Sequence, residues 1–159
     1  MGGLDLFGCL WLFFVYSFFG WIAETCVCVL KYRKFMNRGM LNSPLCIVYG
    51  ISAVIITIGF PELFDEIPIL FLGCAGVSTL LEWFTAKILE KLDHKKWWDY
   101  SSKRWNLDGY ICLQYSIVWG ILGVLSVKFV TPVLMKLYHM VPSFMMQIAL
   151  WALLGVLIV

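Results

Sequence analysis

The chain has 159 residues, of which 62% are hydrophobic, 17% aromatic and only 14% charged. A soluble domain is about 45–50% apolar and about 25% charged, because polar side chains must cover its surface. This composition excludes a soluble globular enzyme, a disordered chain and a disulfide scaffold. With 12 basic and 10 acidic residues, a net charge of +2 also excludes a basic nucleic-acid binder. A polytopic, all-helical membrane protein remains.

A spanning helix needs about 20 mostly apolar residues. Five stretches qualify, and the runs between them are too short for a soluble domain, so residues 1–159 read as one transmembrane domain. The first predicted helix covers residues 6–30. Met1-Gly2-Gly3-Leu4-Asp5 ahead of it has neither the basic start nor the small-residue cleavage site of a secretory signal. Leu6 also breaks the myristoylation pattern, so this helix is expected to be retained. Ser17, Gly20, Glu24 and Lys31 form one stripe along it. The connection 31–43 carries Lys31, Arg33, Lys34 and Arg38. The second helix, 44–60, and the fifth, 142–159, are at the short end of the spanning range. The second connection holds Glu62, Asp65 and Glu66 and no base.

The third helix, 68–89, carries Ala75, Ser78, Thr79, Glu82 and Ala86 on one stripe. The connection 90–109 and its flank hold Lys87, Lys91, Lys95, Lys96, Lys103 and Arg104. The fourth helix is expected at 110–130. Counting Lys and Arg in short loops places the first and third connections in the cytoplasm. The N-terminus then lies outside, the C-terminus inside, and five alternating spans give the same answer. The expected location is the plasma (cytoplasmic) membrane.

Glu24 and Glu82 interrupt otherwise apolar helices, and an ionisable side chain there costs a few kcal/mol on insertion scales. By helical rise they lie about 9 Å and about 10 Å from their cytoplasmic helix ends, so at similar depth. One reading makes them a substrate-binding or pathway pair at a repeat interface. The other makes each a structural carboxylate bonded to a loop Arg, Lys or backbone amide, with Arg38 and Arg104 the expected partners. The helices that follow repeat a pattern. Residues 39–57 laid on 109–127 without gaps give six identities in 19, including Gly39/Gly109 and Gly50/Gly120, with Tyr49 opposite Trp119. A parallel two-fold repeat of helices 1–2 and 3–4, plus a fifth helix, is the expected architecture. Gly20, Gly50, Ser116 and Gly120 are the expected helix-packing positions, small enough for close approach.

The six cysteines show no metal-ligand spacing, and no P-loop, Gly-x-Ser-x-Gly or His-Glu-x-x-His motif occurs. No cofactor or metal site is expected, and enzyme activity has no support in the motifs. The stretch from Lys91 to Gly109 mixes Trp and Tyr with Lys and Arg. It suits the headgroup layer, or a docking surface that includes Asp99, Tyr100, Arg104 and Asn106.

Gly20-Trp21 with Glu24, then Asn37-Arg38-Gly39-Met40-Leu41, Pro44 and Tyr49-Gly50 open a family pattern. Glu82-Trp83, Trp98-Asp99-Tyr100-Ser101, Asn106-Leu107-Asp108-Gly109-Tyr110-Ile111 and Ser116 with Trp119-Gly120 continue it. Over roughly residues 16–125 the chain resembles the putative ABC-transporter type IV (CmpB-like) membrane family. The resemblance implies a permease-type transport component with a separate ATP-binding subunit. It also favours Glu24, Arg38, Glu82, Asp99 and Asn106 as site residues, with Asn37 in the same block. Membrane lipids and a second copy of the chain are the other expected partners. The competing readings are a non-transport module for assembly, sensing or lipid organisation, and a lipid-active membrane enzyme.

Overall fold

A computed structural model describes residues 4–39 and 43–158; Met40 and Leu41 of the family pattern lie outside the described residues. Among the described residues the fold is helical apart from one two-residue ladder. Its helices are α1 (Leu6–Tyr32), α2 (Ile47–Gly59), α3 (Ile67–Asp93), α4 (Leu113–Leu125), α5 (Thr131–Met140) and α6 (Ser143–Ile158). Strands β1 (Asn106–Leu107) and β2 (Ile111–Cys112) pair antiparallel, with Asn106 opposite Cys112 and Leu107 opposite Ile111. Among the described residues three helical stretches are long and apolar enough to cross a membrane: Leu6–Tyr32, Ile67–Asp93 and Leu113–Met140. Ile47–Gly59 and Ser143–Gly155 are shorter apolar helices.

The chain divides into two compact units, Met1–Val54 with Val130–Val159, and Ile55–Phe129. In the first, Asp5 caps α1 by accepting the Gly8 N–H at 2.8 Å, which satisfies one of the orphan donors of the first turn. The helix ends at Arg33, whose left-handed backbone (φ 56°) lets its N–H close on the Val29 carbonyl. Helix α1 packs against α5 and α6. Leu12, Tyr16 and Leu134 form one buried cluster, and Phe14, Met146 and Leu150 another. Two polar contacts sit within this packing, while Ser17 Oγ and Thr25 Oγ1 on α1 are buried without a hydrogen-bond partner among the described residues. Tyr16 Oη and Thr131 Oγ1 are 2.8 Å apart, and Trp11 Nε1 donates to the Leu134 carbonyl at 3.0 Å. Each of these two contacts spares a polar group the cost of burial without a partner. At the helix start, the Tyr138 hydroxyl donates to the Asp5 carboxylate at 3.1 Å, which joins the end of α5 to the beginning of α1.

In the second unit α3 and α4 pack against each other, with Ile56, Leu70, Cys74 and Val127 at the core. A 3-10 turn (Pro61–Leu63) precedes α3. Helix α3 ends like α1, on a left-handed residue, His94 (φ 54°). Lys128 Nζ lies 3.2 Å from Asp65, an exposed pair of the kind that contributes about 0–1 kcal/mol.

Helical backbone does not stop near residue 130, where the apolar run of the fourth predicted span ends. A π-helical turn (Ser126–Val130) joins α4 to α5, and the helical path continues to Met140. Pro132 supplies the reason. It has no N–H to donate to the previous turn and its ring crowds the carbonyl four residues back. Widening that turn lets the helix pass the proline rather than end there.

Candidate functional site

Each unit sets one glutamate against an aromatic donor from the following helix. In the first, Gly20 and Glu24 lie one helical turn apart on the same face of α1. A Cβ on Gly20 would overlap the Tyr49 side chain, at 2.8 Å from its Cβ. The space that glycine leaves seats the Tyr49 ring, and its hydroxyl donates to Glu24 Oε1 at 2.8 Å. Gly50, the next residue, meets α1 as well: a Cβ there would overlap Ser17 Oγ and the Phe13 carbonyl. The Cys46 N–H donates to the Ser17 carbonyl at 2.8 Å, so α2 starts pinned to the middle of α1.

The connection between them is organised by Asn37. Its Oδ1 accepts Trp21 Nε1 at 2.7 Å and the Gly39 N–H at 3.0 Å. Gly39 is buried, and any side chain there would strike the Ser43 carbonyl. The half-buried Arg38 accepts the Cys46 thiol on its carbonyl oxygen, 3.4 Å away.

In the second unit Glu82 is buried, with 7% of its surface exposed. Trp119 Nε1 donates to its Oε2 at 3.0 Å, and the Tyr100 hydroxyl donates to its Oε1 at 3.1 Å. Gly120, next to Trp119, accommodates Phe71 from α3, whose ring a Cβ would meet at 2.8 Å or closer. The Thr79 hydroxyl donates to Ser116 Oγ at 2.8 Å, and Ser116 in turn bonds back to the Cys112 carbonyl at 3.2 Å. Small and hydroxyl-bearing residues thus line both helix pairs, as lipid-embedded packing favours.

Tyr100 reaches Glu82 from a loop that is bonded to itself throughout. The Tyr100 N–H donates to the Gly109 carbonyl at 2.8 Å, and its ring stacks on Tyr115 with centroids 4.6 Å apart. Asp99 Oδ1 accepts both the N–H (2.9 Å) and the hydroxyl (2.5 Å) of Ser101. Asn106 donates to the Lys103 carbonyl at 2.8 Å and accepts the Gly109 N–H at 3.1 Å. Gly109 has φ +74°, and a Cβ on it would come within 2.6 Å of Asp99 Oδ1. Only glycine serves at that corner. Trp98 Nε1 closes the far side on the Tyr110 carbonyl at 2.9 Å. Arg104 is exposed and lies over its neighbour Trp105, 5.8 Å from the ring centroid.

The structure therefore brings Tyr100 to Glu82, and ties Asp99 and Asn106 into the loop that presents it. Asn37 braces the first connection in the same way. Tyr49 donates to Glu24, and Trp119 and Tyr100 donate to Glu82; the sequence reading named a loop Arg, Lys or backbone amide, with Arg38 and Arg104 first, and no aromatic donor. Tyr49 and Trp119 are the residues that reading passed over as donors, although they occupy equivalent positions in the 39–57/109–127 alignment, each one residue before its glycine.

The two hydrogen bonds from Ser101 hold the Asp99 carboxyl below its ordinary value of 3.8. A depressed folded pKa makes this turn favourable above the unfolded value and weakens it as pH falls through the folded one. An NMR titration of the Asp99 carboxyl carbon should give a midpoint below 3.8 that moves up in Ser101→Ala; an unmoved midpoint would contradict the assigned bonds.

The model of one family, described as putative ABC-transporter type IV, matches residues 11–159. The chain belongs to this family. The match runs through both glutamate constellations, the braced loop and the C-terminal helix of this ABC-transporter type IV member. It extends beyond the roughly 16–125 over which the sequence blocks carry the resemblance. No curated protein and no solved structure matches the chain.

Proposed function

We propose that this chain is the membrane-embedded, permease-type component of a transport assembly in the plasma membrane. It has five spans, the N-terminus outside and the C-terminus inside. The observation that carries this reading is the recurrence of one construction in the two halves. Phe13 and Phe71 each precede their glutamate by eleven residues and face Gly50 and Gly120, while Tyr49 and Trp119 donate to Glu24 and Glu82. This recurrence supports the parallel repeat read from the sequence, and such repeats build transporters. A carboxyl group kept in an apolar helix despite its cost points to a pathway or binding role.

The local geometry also supports alternating spans. Asp5 meets Tyr138 within the first unit, and Asp65 meets Lys128 within the second. Each contact joins segments that five alternating helices would place on the outer side. The loop from Trp97 to Cys112 would then face the cytoplasm, where its internal bonding gives an ATP-binding subunit a preformed surface to dock on.

Purification in mild detergent from native membranes, with mass spectrometry of what accompanies the chain, is the direct test. A stoichiometric ATP-binding subunit is expected. In that complex Glu24→Gln and Glu82→Gln should each lower ATP turnover at least about ten-fold at unchanged yield, the scale of about 1.4 kcal/mol in activation free energy. A chain that copurifies only with itself and lipid would overturn the permease reading. If yield and thermal stability instead fall together with turnover, the carboxylates are structural. The two donors on Glu82 favour that second reading, in which the chain is an assembly or lipid-organising module.

A further inference from the structure

The basic residues at the end of α3 and in the loop after it make no ion pair among the described residues, although Lys96 is close enough to Asp99 to help hold its carboxyl down, and Glu90 and Asp108 flank Tyr110. The nearby carboxylates are engaged by uncharged donors: Glu90 by the Tyr110 hydroxyl, Asp93 by Trp97 Nε1 at 2.6 Å, and Asp99 by Ser101. Among the described residues the one ion pair is Lys128 with Asp65, at another place in the chain. Two of the lysines are instead gathered around an aromatic platform. Lys87 Nζ lies 4.1 Å from the centroid of Trp83 and 5.9 Å from that of Tyr110. Lys96 Nζ lies 4.7 Å from the Tyr110 centroid and is held there by a 3.0 Å hydrogen bond to the Asp108 carbonyl.

We infer that Lys87 and Lys96, converging on Tyr110, form a binding site for the phosphate of an anionic phospholipid. Both ammonium groups are positioned by ring and backbone contacts that leave each with further donors to offer. Lys87 is exposed and sits about one and a half turns from the end of an apolar helix long enough to span, the depth at which a lysine reaches the headgroup layer. An acyl chain attached to a phosphate at this height would lie along the exposed apolar residues Leu80, Phe84 and Ile88 of α3. That continuity of charge and apolar surface selects a lipid over a free phosphate. Lysines spread along a helix end would attract anionic lipid without order; two ammoniums fixed at one ring make a local site. The inference rests on α3 crossing a membrane, and not on the chain's being a permease.

Thermal unfolding of the full chain in mild detergent tests it, with added dioleoyl phosphatidylglycerol or dioleoyl phosphatidylcholine. Phosphatidylglycerol should raise the midpoint more than phosphatidylcholine does. The double variant Lys87→Gln/Lys96→Gln should lose most of that difference, Lys87→Arg/Lys96→Arg should retain it, and the control Lys31→Gln/Lys34→Gln should keep it in full. Equal shifts by the two lipids on the native sequence would overturn the site, as would a difference that survives in the double Gln variant or disappears equally in the control. A shift reproduced by glycerol 1-phosphate at the same concentration would also overturn the lipid assignment, in favour of a soluble phosphate ester. The comparison of lipids on the native sequence stands even if the Gln variant fails to fold. Finding an ATP-binding subunit, or none, leaves this outcome unchanged.

Discussion

Replacing Glu82 by Ala is expected to destabilise the protein by about 3 kcal/mol, because a buried side chain is truncated and two half-buried donors lose this acceptor. Trp119 Nε1 and the Tyr100 hydroxyl both end on the carboxyl group of Glu82, a residue 7% exposed. The indole nitrogen can only donate, so alanine offers it nothing in place of the carboxylate. Tyr100 also carries the loop, through its N–H to Gly109 and its stack on Tyr115, so its release should loosen residues well beyond the helix pair. Glu82→Gln should cost about 1 kcal/mol or less, because the amide can turn its oxygen to Trp119 and donate its NH2 to the Tyr100 oxygen. Glu24→Ala should cost about 1 kcal/mol, since Glu24 is only half-buried and one hydroxyl depends on it. Equilibrium unfolding midpoints in detergent, converted with a common slope, give the ranking. If Glu82→Ala fell within about 0.5 kcal/mol of the native sequence, the typical scatter for surface changes, the bonded carboxyl would not be a stabilising element.

Gly50→Ala should be equally damaging, at about 3 kcal/mol, for a different reason. The new methyl would run into the Phe13 carbonyl of α1 and lie 2.8 Å from the Phe13 ring. A side chain can rotate away, but a helix backbone carbonyl cannot, so α1 and α2 would have to separate along their contact. That displacement would also draw Tyr49 from Glu24, and the loss should exceed the ordinary cost of overpacking by one methyl. Gly76→Ala supplies the contrast. No atom lies within 4 Å of the Cβ position there, and the residue is in the interior of α3. Relief of glycine's helix penalty should leave that variant neutral or more stable by up to about 1 kcal/mol. Gly120→Ala should fall between them, because it meets the Phe71 ring, which has some freedom to turn. Thermal midpoints of the three variants in one detergent decide the order. A Gly50→Ala midpoint equal to that of Gly76→Ala would mean that α1 and α2 do not touch as described.

The helix-forming segments and the membrane class were legible before any tertiary contact was known. An apolar helix in lipid satisfies its own backbone, so its existence depends on the run of side chains and little else. Glu24 and Glu82 stood out by the same logic, as charges in segments that tolerate few. The family was legible too, through blocks such as Trp98-Asp99-Tyr100-Ser101, and these blocks turn out to be places where the chain bonds to itself: Asp99 with Ser101, Tyr100 with Gly109. A short-range bond between neighbours leaves a short, specific motif.

What the glutamates bond to was decided by the tertiary structure. Tyr49 is 25 residues from Glu24, and Trp119 is 37 from Glu82. Charge alone suggests Arg38 and Arg104, but Arg104 lies over Trp105. Helix packing instead turns aromatic donors toward the carboxyls, because Gly20 clears the room for Tyr49 and Gly120 brings α4 close to α3. The continuation of α4 past Pro132 also needed three dimensions. A proline ordinarily marks a boundary in sequence, whereas a π turn can absorb it when neighbouring contacts, here Thr131 with Tyr16, hold the next segment in place. Sequence by itself determined which segments are apolar helices and where their few charges fall, since each depends on one side chain against one solvent. Partners, packing glycines and the path through Pro132 depend on which faces meet, and only the folded chain decides that.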